Sequence, residues 1–308
     1  GTPVTGNAAP SLIIPMAAPL PVAASVAPDA VVIAEKLMAA RKAGHVDLSD
    51  PAMQTETGNA RVFCRMFGND FRFVSDAGGW WTWTGTHWKP DGRNQALART
   101  AAVAEALRLE ALEMKPESEV ERAQQAKLLA WGNHSFASRI RTNTLALAAC
   151  EPGMTWLLDD LGTDIWALNV ANGTLDLRTG TLRPHSRADR LTHCLDAPYN
   201  PKAACPRWRA FLHEVFEGDS ELVDYVWRAV GYSLTGCLDE QCLFVLHGTG
   251  ANGKSMFVNT LRHVLMPLTR HTNIETFTVR DRSRIPEDRA RLRGARVVTV
   301  SEAEIGRA

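Results

Sequence analysis

Apolar residues recur at helical spacing in some stretches of the chain and alternate at strand spacing in others, which predicts a mixed helix-and-sheet protein. Successive helices are expected over 93–114, closed by Pro116, then over 118–131 and 135–149. Ahead of them, Trp81-Thr-Trp83-Thr-Gly85-Thr-His-Trp88 reads as a hairpin turning near Gly85. Behind them, Gly173-Thr-Leu175-Asp-Leu177-Arg-Thr-Gly180-Thr-Leu182 reads as a second hairpin with a Thr-Gly turn. Further along, Phe211, Val215 and Phe216 share one helical face, and Leu222, Val226 and Val230 share another. The apolar run 242–246 has strand length, and Phe257, Leu261, Val264 and Leu265 follow it at helical spacing. Segments 274–278 and 296–300 are expected as further strands.

Residues 1–34 carry one charged residue, Asp29, and are rich in Ala, Pro and Val. They lack a basic leading segment, and Pro15, Pro19 and Pro21 interrupt the apolar stretch, so a flexible linker fits better than a secretory signal. A short helical stretch is expected near 31–42. The resulting division is a linker over 1–54, a compact mixed α+β domain over 55–200, and an α/β part over 201–308.

Composition is that of an ordinary globular protein, with Lys+Arg 34 against Asp+Glu 34 and a formal net charge of zero. A basic footprint for nucleic acid must therefore be local. No run of 18 apolar residues suggests a membrane span. The six cysteines form no C-x-x-C pair and read as buried thiols of a reducing cytoplasm. His193, Cys194, Cys205 and His213 have the chemistry of zinc ligands, but their spacing fits no common module.

The strongest chemical signal is Gly248-Thr249-Gly250-Ala251-Asn252-Gly253-Lys254-Ser255, which fits G-x-x-x-x-G-K-[ST] between an expected strand and an expected helix. In that context backbone N–H groups and a helix N-terminus converge on a phosphate. Lys254 would reach the β- and γ-phosphates, and the Ser255 hydroxyl would hold Mg²⁺. Hydrolysis also needs a carboxylate at the end of a nearby strand. Glu302 follows the expected strand 296–300, and Glu304 lies two residues on, on the same side of an extended chain. Between the motifs, Arg280, Arg282 and Arg284 sit in a probable loop able to meet DNA phosphates, unless they belong to a salt-bridged surface. The aromatics Phe71, Phe73, Trp80, Trp81, Trp83 and Trp88 could stack single-stranded bases, but packing a small core is the simpler reading. Gly248, Gly250 and Gly253 also match a dinucleotide fingerprint with Glu275 as the ribose acid; Lys254, Ser255 and Glu302 favour a triphosphate.

Three blocks carry a family resemblance. They are Phe211-Leu-His-Glu-Val215-Phe-Glu-Gly-Asp219, Gly231-Tyr-Ser-Leu-Thr-Gly236, and the run from Glu240 to Ser255. Together they resemble the phage/plasmid primase-helicase family, which carries a superfamily-3 helicase domain. Asn172 to His185 resembles the domain that precedes the helicase there and in poxvirus helicase-primases, and Leu292 to Glu304 resembles the second ATPase motif. The resemblance covers about 55–308. It implies a P-loop NTPase core of AAA+-like α/β fold, ATP and Mg²⁺ as cofactors, and DNA as partner. It also implies self-association into a ring, usually a hexamer, in the cytoplasm of a bacterial host carrying the phage or mobile element. Many relatives place two acids side by side in the second motif. Here Ala303 separates Glu302 from Glu304, which leaves open which one serves the metal. The sensor residue and the neighbour-supplied arginine of that family would lie after Ala308, so the expectation is a fragment that binds nucleotide with part of its site missing. A non-motor module binding DNA or a partner, and a small-molecule kinase, are the alternative readings.

Overall fold

The computed structural model describes residues 50–248, 252–272 and 292–300. The segments 1–49, 249–251, 273–291 and 301–308 lie outside the described residues, and with them the expected helix near 31–42 and strand 274–278. The fold mixes helices and sheets.

A four-helix layer forms first: α1 (Glu56–Phe67), α2 (Gln95–Glu113), α3 (Glu119–His134) and α4 (Ser138–Cys150). Each start has a local cause. Thr55 caps α1 by accepting from the Gly58 N–H at 3.0 Å. Asp91 takes the first free N–H groups of α2, those of Gln95 and Ala96, at 2.9 and 2.8 Å. Ser118 and Glu121 make a reciprocal capping box on α3. Small residues let α2 and α3 approach closely: a Cβ at Gly132 would stand 3.1 Å from the Arg108 backbone nitrogen. The core between the helices is built from Val62, Phe63, Phe67, Val103, Leu107 and Leu128. Met53 joins it from a 3-10 turn at Pro51–Met53, so the chain is already packed where composition still suggests linker.

A polar network is buried in this layer. Asn59 Nδ2 donates to Ser135 Oγ at 3.0 Å, Trp131 Nε1 donates to Asn59 Oδ1 at 3.0 Å, and Ser135 Oγ donates back to Trp131 O at 2.8 Å. Asn59→Leu would leave the indole N–H without its acceptor and take from the Ser135 hydroxyl the donor it accepts from, for an expected loss of about 2 kcal/mol. The loss would be read from the urea midpoint; an unchanged midpoint would contradict the network's role.

Against the helices lies a sheet of β1 (Phe71–Val74), β2 (Gly79–Trp83), β3 (Trp88–Pro90) and β4 (Thr155–Trp156), in the order β3-β2-β1-β4. β1 runs antiparallel to β2 and parallel to β4. The register sorts its side chains. Phe71, Phe73 and Trp80 share the helix face, where Trp80 meets Phe63 and Phe73 with ring centroids 5.7 Å apart in both cases. Arg72, Trp81, Trp83 and Trp88 share the other face, with Trp156 beside them. The hairpin turn falls at Gly85, in the left-handed region at φ 101°. A second sheet, β5 (Ala167–Val170), β6 (Gly173–Asp176) and β7 (Thr181–Arg183), is an antiparallel meander whose β6–β7 connection contains the expected Thr-Gly turn.

The remaining elements are α5 (Pro206–Val215), α6 (Ser220–Leu234), α7 (Lys254–Val264), β8 (Thr269–Thr272) and β9 (Val297–Val300), with β8 and β9 paired in parallel. Leu212, Val223 and Phe257 form their core, with Trp208 stacked between Phe211 and Phe257 at 5.2 and 5.7 Å. The inward face of α6 is centred on Val223, and Leu222 is exposed, one position away from the expected stripe. Val264 is likewise exposed, and Leu265 is buried. A third cluster joins the meander to this region: Leu168, Val170, Leu175 and Leu195 pack with Leu265 and Leu268.

The expected strand 242–246 is absent. The segment is irregular, and Leu243 and Val245 are 84% and 76% exposed. A strand is held by ladder hydrogen bonds to a neighbour. Among the described residues β8 and β9 pair only with each other, so nothing supplies a ladder to 242–246. The cysteines also differ from expectation. All six are free, but Cys150 and Cys242 are exposed and the others only half-buried. Burial pushes the Cys64 thiol up to about 12, which makes it a poor nucleophile.

Candidate functional site

Of the phosphate-loop sequence, Gly248 and Asn252–Ser255 lie among the described residues, and Thr249, Gly250 and Ala251 lie outside them. Gly253 is the N-cap of α7 in the left-handed region, at φ 84°. Two constraints select glycine there. The backbone angle disfavours a side chain, and a Cβ would stand 2.6 Å from Val215 Cγ2 on α5. At Gly248 a Cβ would meet the Asn252 amide at 2.0 Å. Lys254 Nζ donates to Gly248 O and to Asn252 Oδ1, both at 2.8 Å, which folds the ammonium back over the loop. Among the described residues no side chain caps α7, and its first turn holds no acidic residue. The positive end of its dipole therefore favours an anion there. Ser255 occupies the second position of the helix and is exposed.

Val215 and Phe211 pack behind Gly253 and are easily missed in the sequence, because their pairing with the loop joins residues about forty positions apart. β9 runs towards the acidic motif and ends at Val300, two residues before Glu302. Glu302 and Glu304 lie outside the described residues, as do Arg280, Arg282 and Arg284. Among the described residues no three metal-ligating side chains converge. Two aromatics of the first sheet, Phe71 and Trp88, are packed away at 3% and 1% exposed, and Phe73, Trp80, Trp81 and Trp83 are half-buried. Their polar handles are arginines. Arg72 lies over Trp88 and Trp156 at 5.7 and 4.9 Å, and Arg187 lies over Trp83 at 5.5 Å.

Beside the meander, His87, His185 and His193 stand among cations. Burial first, then Arg270, His87 and Arg296, lowers the His193 pKa from its ordinary 6.5 to about 4. Between those values the unfolded chain takes up a proton that the folded form refuses, so stability falls as pH drops through this window. The melting midpoint should therefore decline more steeply from pH 6.5 to 4 in the native chain than in His193→Gln. Identical slopes would refute the assignment.

The sequence model described as D5 N terminal like matches residues 60–217, half of the chain. The chain belongs to the D5 N-terminal-like family. Its matched region takes in most of α1, all of α2–α4, the mixed sheet, the antiparallel meander and the α5 helix that backs Gly253. A protein of Acanthamoeba polyphaga mimivirus named "Putative helicase" is 26% identical over 125 residues, covering 39% of this chain and 13% of that protein. The D5 N-terminal-like chain thus aligns with a small part of the relative's length. No helix among the described residues is long and apolar enough to cross a membrane.

Proposed function

We propose that this D5 N-terminal-like protein supplies the nucleotide-binding part of an ATP-dependent DNA helicase of the primase-helicase type. The observation that carries the reading is the loop at the start of α7. Gly253 sits in the left-handed region, Lys254 turns back over Gly248, and a helix N-terminus opens there, in a chain that carries the family domain upstream and is similar to a protein named as a helicase. The backbone N–H groups from Gly248 to Ser255, with Thr249, Gly250, Ala251 and Asn252 between, would cradle the phosphates of ATP. Lys254 would hold the β- and γ-phosphates, and Ser255 and Glu302 would hold Mg²⁺. Glu302 or Glu304 would orient the attacking water. Bound ATP supplies the free energy for strand separation. Arg280, Arg282 and Arg284 would contact DNA phosphates, and the active assembly would be a ring, of six subunits on the primase-helicase pattern.

The test is strand displacement by the full-length gene product. ATP-dependent displacement of a duplex with a single-stranded tail would support the motor. ATP turnover unaffected by any DNA would point instead to a small-molecule kinase, and DNA binding without turnover to a non-motor module.

A further inference from the structure

A cavity of about 400 Å³ lies between the outer face of the first sheet, the segment 158–165, the meander and the chain entering β9. Small-molecule sites occupy roughly 300–1,000 Å³, so the space is large enough for a ligand of nucleotide size. Trp81, Leu168, Leu191 and Leu268 give it apolar walls, and Asn169, His193 and Arg296 are among its polar members.

Its lining holds Arg293 and Arg296 and, among the described residues, no carboxylate. Arg296 is half-buried and donates to Leu234 O and Ala167 O at 2.5 and 2.6 Å. Carbonyls satisfy its donors but bring no net charge; Asp164 acts on it through space, and among the described residues no contact ion pair is made with it. Arg270, close enough to depress the His193 pKa, likewise donates to the carbonyls of Pro267 and Thr269. Arg293, at the rim, is paired with Asp159. Burial outweighs the pull of Asp164 on this guanidinium, and an anion entering the cavity beside it would offset the remaining cost. The imidazole of His193 pairs through Nδ1 with the Thr192 hydroxyl at 2.8 Å, and its Nε2 makes no hydrogen bond among the described residues. An anionic group near Arg296, a flat body against Trp81 and a hydrogen-bonding edge toward His193 together describe one chemical class.

We propose that this cavity is a second nucleotide site, separate from the phosphate loop, which takes a mononucleotide unit with its base on Trp81 and its phosphate beside Arg296. The unit is either a free nucleotide or one residue of a single strand. The inference does not depend on the phosphate-loop reading, and the two are separated by working in a Lys254→Ala background.

The chain would be photolabelled with 8-azido-AMP and, in parallel, with a short single-stranded oligonucleotide carrying a photoreactive base, and the modified peptides mapped. Labelling within 158–169 or 191–196 is expected to persist in Lys254→Ala and to fall about tenfold or more when Arg296→Met is added. Trp81→Leu serves as the second variant should Arg296→Met lower the melting midpoint, and the same fall is expected from it. Labelling by AMP identifies a free nucleotide as the occupant, and labelling by the oligonucleotide alone identifies a strand. Labelling of these peptides by neither probe, or labelling that both cavity variants leave unchanged, would overturn the proposal. So would competition by inorganic phosphate as effective as that by AMP, since it would show a site for the anion alone.

Discussion

Trp88→Ala should lower the unfolding free energy by about 3–5 kcal/mol, the range found when large aromatic side chains are removed from cores. Trp88 is 1% exposed and lies on the sheet face turned away from the helices. Its ring centroid is 5.6 Å from that of Trp83 and 4.9 Å from that of Trp156, and Arg72 lies over both Trp88 and Trp156. Its Nε1 donates to Arg187 O at 3.0 Å, and its backbone N–H donates to Leu191 O at 2.8 Å. Removing the ring would open a void and unseat the segment that carries Arg187 and Arg190 across the sheet. Trp88→Phe keeps most of the volume and loses only the bond to Arg187 O, so about 1–2 kcal/mol is expected. Urea unfolding of the three proteins checks both figures. A cost below about 1 kcal/mol for the alanine variant would show that this face adds little to the fold.

Lys254→Ala should weaken ATP binding by about ten- to a hundredfold, the equivalent of one charge-assisted contact to a phosphate. The ammonium is 2.8 Å from Gly248 O and from Asn252 Oδ1, on the loop itself, and α7 begins at the same residue. Lys254→Arg should recover only part of the affinity, because a planar fork does not replace a compact ammonium in a turn this tight. Direct titration with ATP and with a non-hydrolysable analogue would give both numbers. Equal affinity in the native and alanine proteins would remove the phosphate loop from the reading.

Much of the fold was legible because local signals and tertiary packing agree. The helices expected over 93–114, 118–131 and 135–149 are α2, α3 and α4 to within a few residues, since Pro116, Ser118 and Asp91 mark their ends. Both hairpins turn at their glycines for the same reason. What the residues did not disclose depends on partners distant in the chain. α1 was not read, although Thr55 caps it. β1 and β5 are short and gain their strand character from β2 and β6. The opposite error occurred at 242–246, where an apolar run of the right length lacks a neighbouring strand. At the candidate site, Gly253 and Lys254 could be read from spacing alone. The support of Val215 behind the glycine, and the carbonyl-held guanidinium of Arg296, emerge only when α5, α6 and β5 come together.

The cluster shared by Leu168, Val170, Leu175, Leu195, Leu265 and Leu268 has a practical consequence. Composition invites a cut near residue 200, with the two halves expressed on their own. Each half would then carry an open apolar wound where the other had covered it, and sticky, poorly behaved preparations would follow. The smallest piece worth purifying keeps the meander and the end of α7 on one polypeptide.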